Sequence, residues 1–206
     1  MSNEQRDLKQ SLLSLLLHEW NSDSLELADS DRTRRLRPQI LKRLLSLVMT
    51  DDERAKDLGL PEGCRVRESA KIISPENLRC GTDVWIGENA IVDASGGLDI
   101  GANVTIGTGV FVWSHTSVLS SLSGQNQLGN QWIRRAPTSI GKNSFIGGPS
   151  VINLGVVIGE GCLILPMSVV TSDVPDGTMV GGAPAGFRRH IDEDWLARER
   201  QKFTAQ

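Results

Sequence analysis

His115 is the side chain of this sequence best suited to acid–base chemistry, and it lies in the segment FVWSHTS, residues 111–117. An imidazole has an unperturbed pKa near 6.5, so it can accept or donate a proton at neutral pH. An exposed histidine is more often without a function. Here, however, Trp113 stands two positions before it, and a long polar stretch begins at residue 120. The two could form an apolar wall and a lid over a reaction site, which favours a general base.

Cysteine and histidine usage gives no reason to expect another kind of site. The three cysteines are too few and too scattered for a disulfide framework, and no CxxC spacing is present: Cys64, Cys80 and Cys162. A reducing cytoplasm is therefore the expected location. The other histidines, His18 and His190, lie outside the repeat described below. Because zinc enzymes on repeat folds of this kind need three histidines, no metal is expected.

Charge and hydropathy exclude two classes of partner. The formal net charge is −3, which gives no reason to expect nucleic acid. The apolar run LLSLLLHEW, residues 12–20, is too short for a membrane span and is interrupted by His18 and Glu19. No basic region precedes it, so it does not resemble a signal peptide. The sequence therefore predicts no transmembrane segment.

A six-residue repeat dominates the sequence that surrounds His115. Stepping by six gives two uninterrupted series of β-branched aliphatic residues: Ile100, Ile106, Val112, Val118, and then Ile140, Ile146, Ile152, Ile158, Ile164, Val170. Glycine often follows the aliphatic, and Asn103, Asn143 and Gly161 stand where a chain that turns would need left-handed backbone angles. Six residues fit one short strand and one turn. The sequence predicts a mainly β solenoid of three-sided coils, with the aliphatics stacked inside.

Three other segments flank or interrupt the repeat. Residues 1–63 show helical spacing and are predicted to form an N-terminal helical cap over the open end of the solenoid domain, residues 64–190. The register breaks at residues 120–138, which are polar and free of the repeat, so a protruding loop is expected there. Residues 191–206 are predicted to form an amphipathic C-terminal helix.

The pattern aliphatic-Gly-x-x-small-x resembles the hexapeptide repeat of bacterial acyltransferases. The stretch VVTSDVPDGTMVGGAPAGFRR, residues 169–189, is similar to the C-terminal signature of that family. Sugar and polysaccharide O-acetyltransferases of the maltose and galactoside type are the branch it resembles most. The resemblance implies a left-handed parallel β-helix, a homotrimer with its sites between subunits, and acetyl-CoA as the donor.

The resemblance also implies roles for individual residues. His115 corresponds to a general base that acts on the acceptor, with Trp113 beside it. A partner that orients the imidazole should lie one or two coils earlier, and Asn89 and Asp93 are the candidates. The pantetheine arm of acetyl-CoA is expected to contact Gly148, Pro166 and Ser172.

Three positions depart from the pattern of that family. Phe145 stands where a tryptophan is common, and it retains an aromatic wall for the substrate. Ser172 and Gly186 stand where a lysine and a basic residue are common. Two cations are therefore missing from the donor site, and Arg188 and Arg189 are expected to contact the phosphates of acetyl-CoA instead.

The resulting functional hypothesis is acetyl transfer from acetyl-CoA to a sugar hydroxyl. The acceptor would be a surface-polysaccharide unit or a small glycoside, and no covalent enzyme intermediate is needed. N-acetylation of an amino sugar or a nucleotide-linked amino sugar is an alternative. A solenoid scaffold without catalytic activity is an alternative of another class, because the fold does not fix the function.

Overall fold

The computed structural model describes residues 31, 40, 44–125 and 130–204. The chain divides into two compact units, residues 1–49 and 50–206. In the first unit, residues 44–46 are helical and end in a turn. Most of the predicted helical cap of residues 1–63 lies outside the described residues. All elements named below belong to the second unit.

Eighteen short strands, numbered in chain order, build three sheets and one two-stranded ribbon. The first face contains β1 (Arg65–Val66), β4 (Trp85–Ile86), β7 (Thr105–Ile106), β12 (Phe145–Ile146), β15 (Leu163–Ile164), β17 (Thr178–Gly181) and β18 (Gly186–His190). The second face contains β2 (Lys71–Ile73), β5 (Ile91–Asp93), β8 (Phe111–Val112), β13 (Val151–Ile152) and β16 (Val169–Val170). The third face contains β3 (Leu78–Cys80), β6 (Leu98–Ile100), β11 (Thr138–Ile140) and β14 (Val157–Ile158).

Strands that follow one another along the chain lie on successive faces, whereas strands of adjacent coils pair in parallel. The arrangement changes in the last coil, where a single bridge between Ile158 and Val174 replaces a third-face strand between β16 and β17, and β18 turns back to pair antiparallel with β17. The chain therefore forms a three-sided parallel solenoid, and the predicted fold is confirmed. Its regularity follows from the six-residue repeat, since each repeat supplies one strand and one corner.

The aliphatic residues of the repeat form the core. On the first face Ile86, Ile106, Ile146 and Ile164 stand in register from coil to coil, and none of the four exposes any surface. Full burial of such a side chain contributes about 1.5–3 kcal/mol to stability. The corners follow the prediction too, since Asn103, Asn143 and Gly161 all have φ between 57° and 62°.

One residue assigned to the repeat does not belong to it. Val118 continues the six-residue series of Val112, but its side chain is 59% exposed and it begins a short helix, α2 (Val118–Leu122). Its assignment to the inward series is wrong. The chain has already left the solenoid at that point, and an apolar residue at the right spacing is then not sufficient for burial.

The expected loop of residues 120–138 is structured at both of its described ends. Before it, β9 (His115–Thr116) pairs antiparallel with β10 (Arg134–Arg135), which follows a 3-10 turn at Asn130–Trp132. The repeat resumes with β11, so Thr138 is already a buried strand residue. The insertion therefore begins next to His115, and its last residues pair with His115 and Thr116.

One helix precedes the strands of the solenoid unit and another follows them. The helix α1 (Asp51–Asp57) packs against β1, and its buried Arg54 donates a hydrogen bond to the carbonyl oxygen of Val66 over 3.0 Å. The helix α3 (Glu193–Thr204) follows β18. Among the described residues, no helix is both long enough and apolar enough to cross a bilayer.

Candidate active site

Two corners of the solenoid contain six of the ten site residues singled out from the sequence. The first is the His115 corner, the described segments that join the second face to the third: residues 74–77, 94–97, 113–125, 130–137, 153–156 and 171–173. The second is the glycine corner, the segments that join the first face to the second together with the segment that joins β17 to β18: residues 67–70, 87–90, 107–110, 147–150, 165–168 and 182–185. Phe145 lies on the first face, and Arg188 and Arg189 follow the last segment of the glycine corner, in β18.

His115 is held by a carboxylate of the preceding coil. Its Nδ1 atom lies 2.6 Å from Oδ2 of Asp93, the last residue of β5. The Asp93 side chain is fully buried, while that of His115 remains 28% exposed. The expectation that a residue one coil earlier contacts the imidazole is met by Asp93.

The environment of Asp93 keeps its carboxylate ionised. Burial raises its pKa, but hydrogen bonds from the backbone amide of Ser114, from His115 and from Ser95 outweigh burial and lower the pKa to about 2. The Ser114 amide lies 2.9 Å from Oδ2, and the Ser95 amide lies 3.1 Å from Oδ1. At neutral pH the buried Asp93 side chain is therefore a carboxylate, and it accepts a hydrogen bond from the imidazole.

The contact with Asp93 determines which nitrogen of His115 can act as a base. An ionised carboxylate only accepts hydrogen bonds, so Nδ1 of the imidazole must carry the proton that it shares with Asp93. The other nitrogen, Nε2, then has a free lone pair. This tautomer is the one that a general base requires, and the same carboxylate stabilises the imidazolium that forms after proton transfer.

Aromatic rings flank the imidazole on one side, as predicted for Trp113. The ring of Trp113 meets that of His115 edge to face, with centroids 6.1 Å apart and planes at 86°. Phe111 stacks on Trp113 at the same centroid distance. The two rings therefore form a partly exposed aromatic wall beside the imidazole.

On the other side, a cleft of about 450 Å³ opens beside the His115 corner. It is lined by Glu76, Asn77, Arg79, Ser95, Gly96, Gly97 and Arg135. Ser95 also approaches the catalytic pair, because its Oγ lies 3.0 Å from His115 Nδ1. A small acceptor in this cleft would lie next to the candidate base.

None of the residues that line this cleft was predicted from the sequence. Ser95 could have been found, because residues of these two coils pair at a spacing of twenty, as Val92 and Val112 do. Twenty residues before His115 stands Ser95. No repeat spacing predicts that Arg135 lies near His115, because the position of Arg135 depends on how the insertion folds back.

Asn89 does not contribute to this site. It lies in the glycine corner, is exposed, and has φ of 58°, so it serves as a corner residue in the same way as Asn103. Within one chain the expectation that it orients His115 is wrong. The repeat explains why, because Asn89 precedes the second face whereas His115 follows it.

The residues expected to bind the donor are divided between the two corners. Gly148 and Pro166 lie in adjacent coils of the glycine corner, and Arg188 reaches that corner by donating a hydrogen bond to the Gly181 carbonyl oxygen over 2.8 Å. Arg189 is the next residue of β18 and is exposed. Ser172, in contrast, is an exposed residue of the His115 corner.

Close packing of adjacent coils also requires glycine at position 148. A Cβ atom added there would lie 1.8 Å from the carbonyl oxygen of Thr108, in the coil before. Phe145 is 47% exposed on the first face, two residues before Gly147, and so lies towards the glycine corner rather than towards His115.

Among the described residues, no group of three histidine, cysteine, aspartate or glutamate side chains could hold a metal ion.

Comparison with protein families identifies the repeat. The family model described as "Hexapeptide repeat of succinyl-transferase" matches residues 78–114 and 137–165. The galactoside O-acetyltransferase of Escherichia coli (strain K12) is 30% identical over 132 residues, which are 62% of this chain and 64% of that protein. The chain therefore spans less than two thirds of the length of this curated relative.

Two groups of solved structures have a similar fold. A galactoside acetyltransferase in complex with coenzyme A matches with a TM-score of 0.61 and 23% identity, over 82% of this chain and 86% of that one. The N-acyltransferase AntD of Bacillus cereus matches with a TM-score of 0.57 and 19% identity, over 77% of this chain and 100% of that one. That complex contains dTDP-4-amino-4,6-dideoxyglucose and coenzyme A. Residues 78–114 and 137–165 of this chain thus match the hexapeptide repeat, and the fold is that of a left-handed parallel β-helix.

Proposed function

We propose that this protein is an acetyltransferase that moves the acetyl group of acetyl-CoA to a hydroxyl of a sugar. The observation that carries the proposal is the hydrogen bond between buried Asp93 and partly exposed His115, next to Ser95 of an open cleft. A scaffold has no need for a buried carboxylate that fixes one tautomer of a partly exposed histidine. The resemblance to a galactoside O-acetyltransferase supports the choice of donor and acceptor.

His115 acts as the general base in this scheme. Nε2 accepts the proton of the acceptor hydroxyl while the hydroxyl oxygen attacks the thioester carbonyl carbon of acetyl-CoA. The tetrahedral intermediate collapses with cleavage of the carbon–sulfur bond, and the imidazolium returns the proton to the departing CoA sulfur. Asp93 keeps Nε2 oriented and stabilises the imidazolium throughout. The products are the acetyl ester and CoA, and no atom of the enzyme is acylated.

The donor lies along the glycine corner in this proposal. A regular row of backbone groups can pair with the amides of the pantetheine arm, as an added strand would. Gly148 and Pro166 belong to that row, and Arg188 and Arg189 supply the positive charge that Ser172 and Gly186 lack. Arg188 already holds the end of the row through its hydrogen bond to Gly181.

The separation of the two corners supports a composite site. Within one chain the second face lies between the His115 corner and the glycine corner. A site that needs both is completed when the His115 corner of one copy faces the glycine corner of the next. We therefore propose a homotrimer, which repeats this contact three times and closes. The cytoplasm, where acetyl-CoA is available, is the proposed location.

N-acetylation of an amino sugar is the competing function. The same base can take the proton from an attacking amine, and the fold is shared with an N-acyltransferase, AntD. The two functions differ only in the acceptor, so a panel of sugars and matched amino sugars distinguishes them.

The test is CoA release from acetyl-CoA by the purified protein with that panel, together with two histidine variants. His115→Ala should lower kcat by about 10²–10⁴-fold, the usual contribution of a general base. His190→Ala is the matched control, since His190 is exposed at the end of β18 and should leave kcat unchanged. Normal turnover by a folded His115→Ala variant would overturn the mechanism. No turnover by the wild type with any acceptor would overturn the proposed activity.

A further inference from the structure

Arg135 lies beside His115, although the two residues are twenty positions apart. In the two-stranded ribbon of β9 and β10 it stands directly opposite His115, while Arg134 stands opposite Thr116. Side chains of directly opposed residues project to the same side of an antiparallel pair, with Cβ atoms about 4.5–5.5 Å apart. Arg134 and Arg135 therefore project to opposite sides, and Arg135 is the one that lines the cleft with Ser95.

The charges around this cleft leave Arg135 available to a ligand. Arg79, the other cation of the lining, is held by Asp99, whose Oδ2 accepts a hydrogen bond of 2.7 Å from Nη2. Within residues 44–125 and 130–204, Arg135 forms no ion pair with a carboxylate, and its side chain is exposed. Glu76 is the only acidic residue of the lining. An uncompensated guanidinium therefore lies next to the candidate base.

We propose that Arg135 binds an anionic group of the acceptor, a carboxylate or a phosphate, and thereby holds the acceptor hydroxyl at Nε2 of His115. This inference rests on the proposed function and narrows its acceptor to acidic or phosphorylated sugars. A guanidinium binds either group through two parallel hydrogen bonds, which fix orientation as well as position. Asn77 and Ser95 remain available in the same cleft for sugar hydroxyls.

The phosphates of acetyl-CoA are a second source of the same anionic chemistry. The chemistry of the proposed transfer argues against them. The thioester carbonyl of acetyl-CoA must lie at His115, and the pantetheine arm separates that carbonyl from the phosphates. The acceptor is therefore the partner that we assign to Arg135, and the experiment below distinguishes it from the donor.

The test compares acceptors that differ in charge, using the full chain. Methyl β-D-glucuronide and glucose 1-phosphate are the anionic acceptors, and methyl β-D-glucoside is the neutral one. Arg135→Ala should lower kcat/KM for an anionic acceptor by about 10- to 100-fold, mainly through KM, because a hydrogen bond to a charged group is lost. It should change the value for the neutral acceptor, and the KM for acetyl-CoA, by less than about 3-fold.

Arg134→Ala is the matched control, since it removes the same charge from the adjacent residue of β10 and from the other side of the ribbon. It should leave all three values unchanged. An equal loss on charged and neutral acceptors by Arg135→Ala would overturn the inference, and so would a raised KM for acetyl-CoA alone. A wild type that prefers the neutral acceptor would overturn it as well.

A binding measurement separates this inference from the proposed function. If no acceptor is turned over, the proposed function fails, but methyl β-D-glucuronide can still be titrated while the imidazole NMR signals of His115 are followed. Saturable shifts in the wild type and in Arg134→Ala, absent in Arg135→Ala, would support anion binding at Arg135. Shifts that are the same in all three proteins, or absent from all three, would overturn it.

Discussion

The His115 corner and the glycine corner are built from the same repeat but present different chemistry. At the His115 corner a carboxylate, an imidazole and hydroxyl groups form one hydrogen-bonded network, centred on Asp93. At the glycine corner the polar groups are mainly backbone amides and carbonyls. The two substrates of the proposed acyl transfer need the same two kinds of group. The pantetheine arm of the donor pairs with backbone amides, whereas the acceptor needs a base.

The difference arises from the insertion and not from the spacing of the coils, since at the His115 corner a Cβ added to Gly96 would lie 2.1 Å from the Ser114 carbonyl oxygen. At the glycine corner Gly107 and Gly148 lie in adjacent coils, and a Cβ added to Gly107 would lie 2.7 Å from the amide nitrogen of Gly148. At the His115 corner the insertion begins immediately after His115, so the next coil does not close over its side chain. An insertion at a corner thus leaves space for a functional side chain that the uninterrupted solenoid would exclude.

The comparison predicts that the His115 corner is sensitive to charge. Asp93→Asn should lower kcat by about 10²–10⁴-fold, because a neutral amide can hold the imidazole in the wrong tautomer and does not stabilise the imidazolium. The measurement is CoA release at saturating substrate. Asp83→Asn is the control, since it makes the same change at an exposed corner residue with φ of 59°, which asparagine tolerates.

A folded Asp93→Asn protein with wild-type kcat would contradict the role of Asp93. Because the carboxylate accepts the Ser114 amide as well, the variant should also be less stable, by about 1–3 kcal/mol. Circular dichroism of the variant therefore accompanies the rate measurement. A loss of rate in a protein that retains its β signal is the expected result.

The glycine corner should be sensitive to volume instead. Gly148→Ala places a methyl group against the carbonyl oxygen of Thr108 and should lower the free energy of unfolding by about 1–3 kcal/mol. Gly186→Ala is the matched control, because a Cβ there meets no atom within 4 Å. Urea unfolding compares the two variants with the wild type. Equal stability of all three would show that the coils separate easily at this corner.

The sequence was most informative where a short-range rule determines the structure. The six-residue series predicted the buried ladder, and Asn103 and Asn143 marked corners, because stacking and left-handed angles depend only on neighbouring repeats. The same register places Ser95 opposite His115 and Asp93 two residues before Ser95, within reach of the imidazole. Coil register is thus a strong constraint on side-chain contacts in a solenoid.

The sequence was least informative at the insertion. Val118 kept the spacing of the repeat without its burial, and nothing in the sequence marked Arg135 as a neighbour of His115. Both depend on the path of a segment that has no period. Asn89 failed for another reason, because it has the type of residue that a site needs but lies at the corner before the second face.

The last difference expected between the two corners is their response to acid. The pKa of Asp93 is lowered in the folded chain to about 2, below its usual value of 3.8. Its contribution to stability is therefore complete above about pH 4 and is lost as the pH falls towards 2. Between about pH 5 and about pH 2.5 the wild type should lose about 1.5 kcal/mol more stability than Asp93→Asn, which has no carboxyl to protonate.

Urea unfolding at the two pH values, at one protein concentration, measures this difference. Gly148→Ala should lose as much stability on acidification as the wild type, because its defect is steric and does not titrate. Identical pH dependence of Asp93→Asn and the wild type would mean that the carboxylate is not stabilised in the fold. If the Asp93 carboxylate is stabilised, this loss of stability in acid comes from the hydrogen bonds that also orient His115. The glycine corner then contributes nothing to the loss.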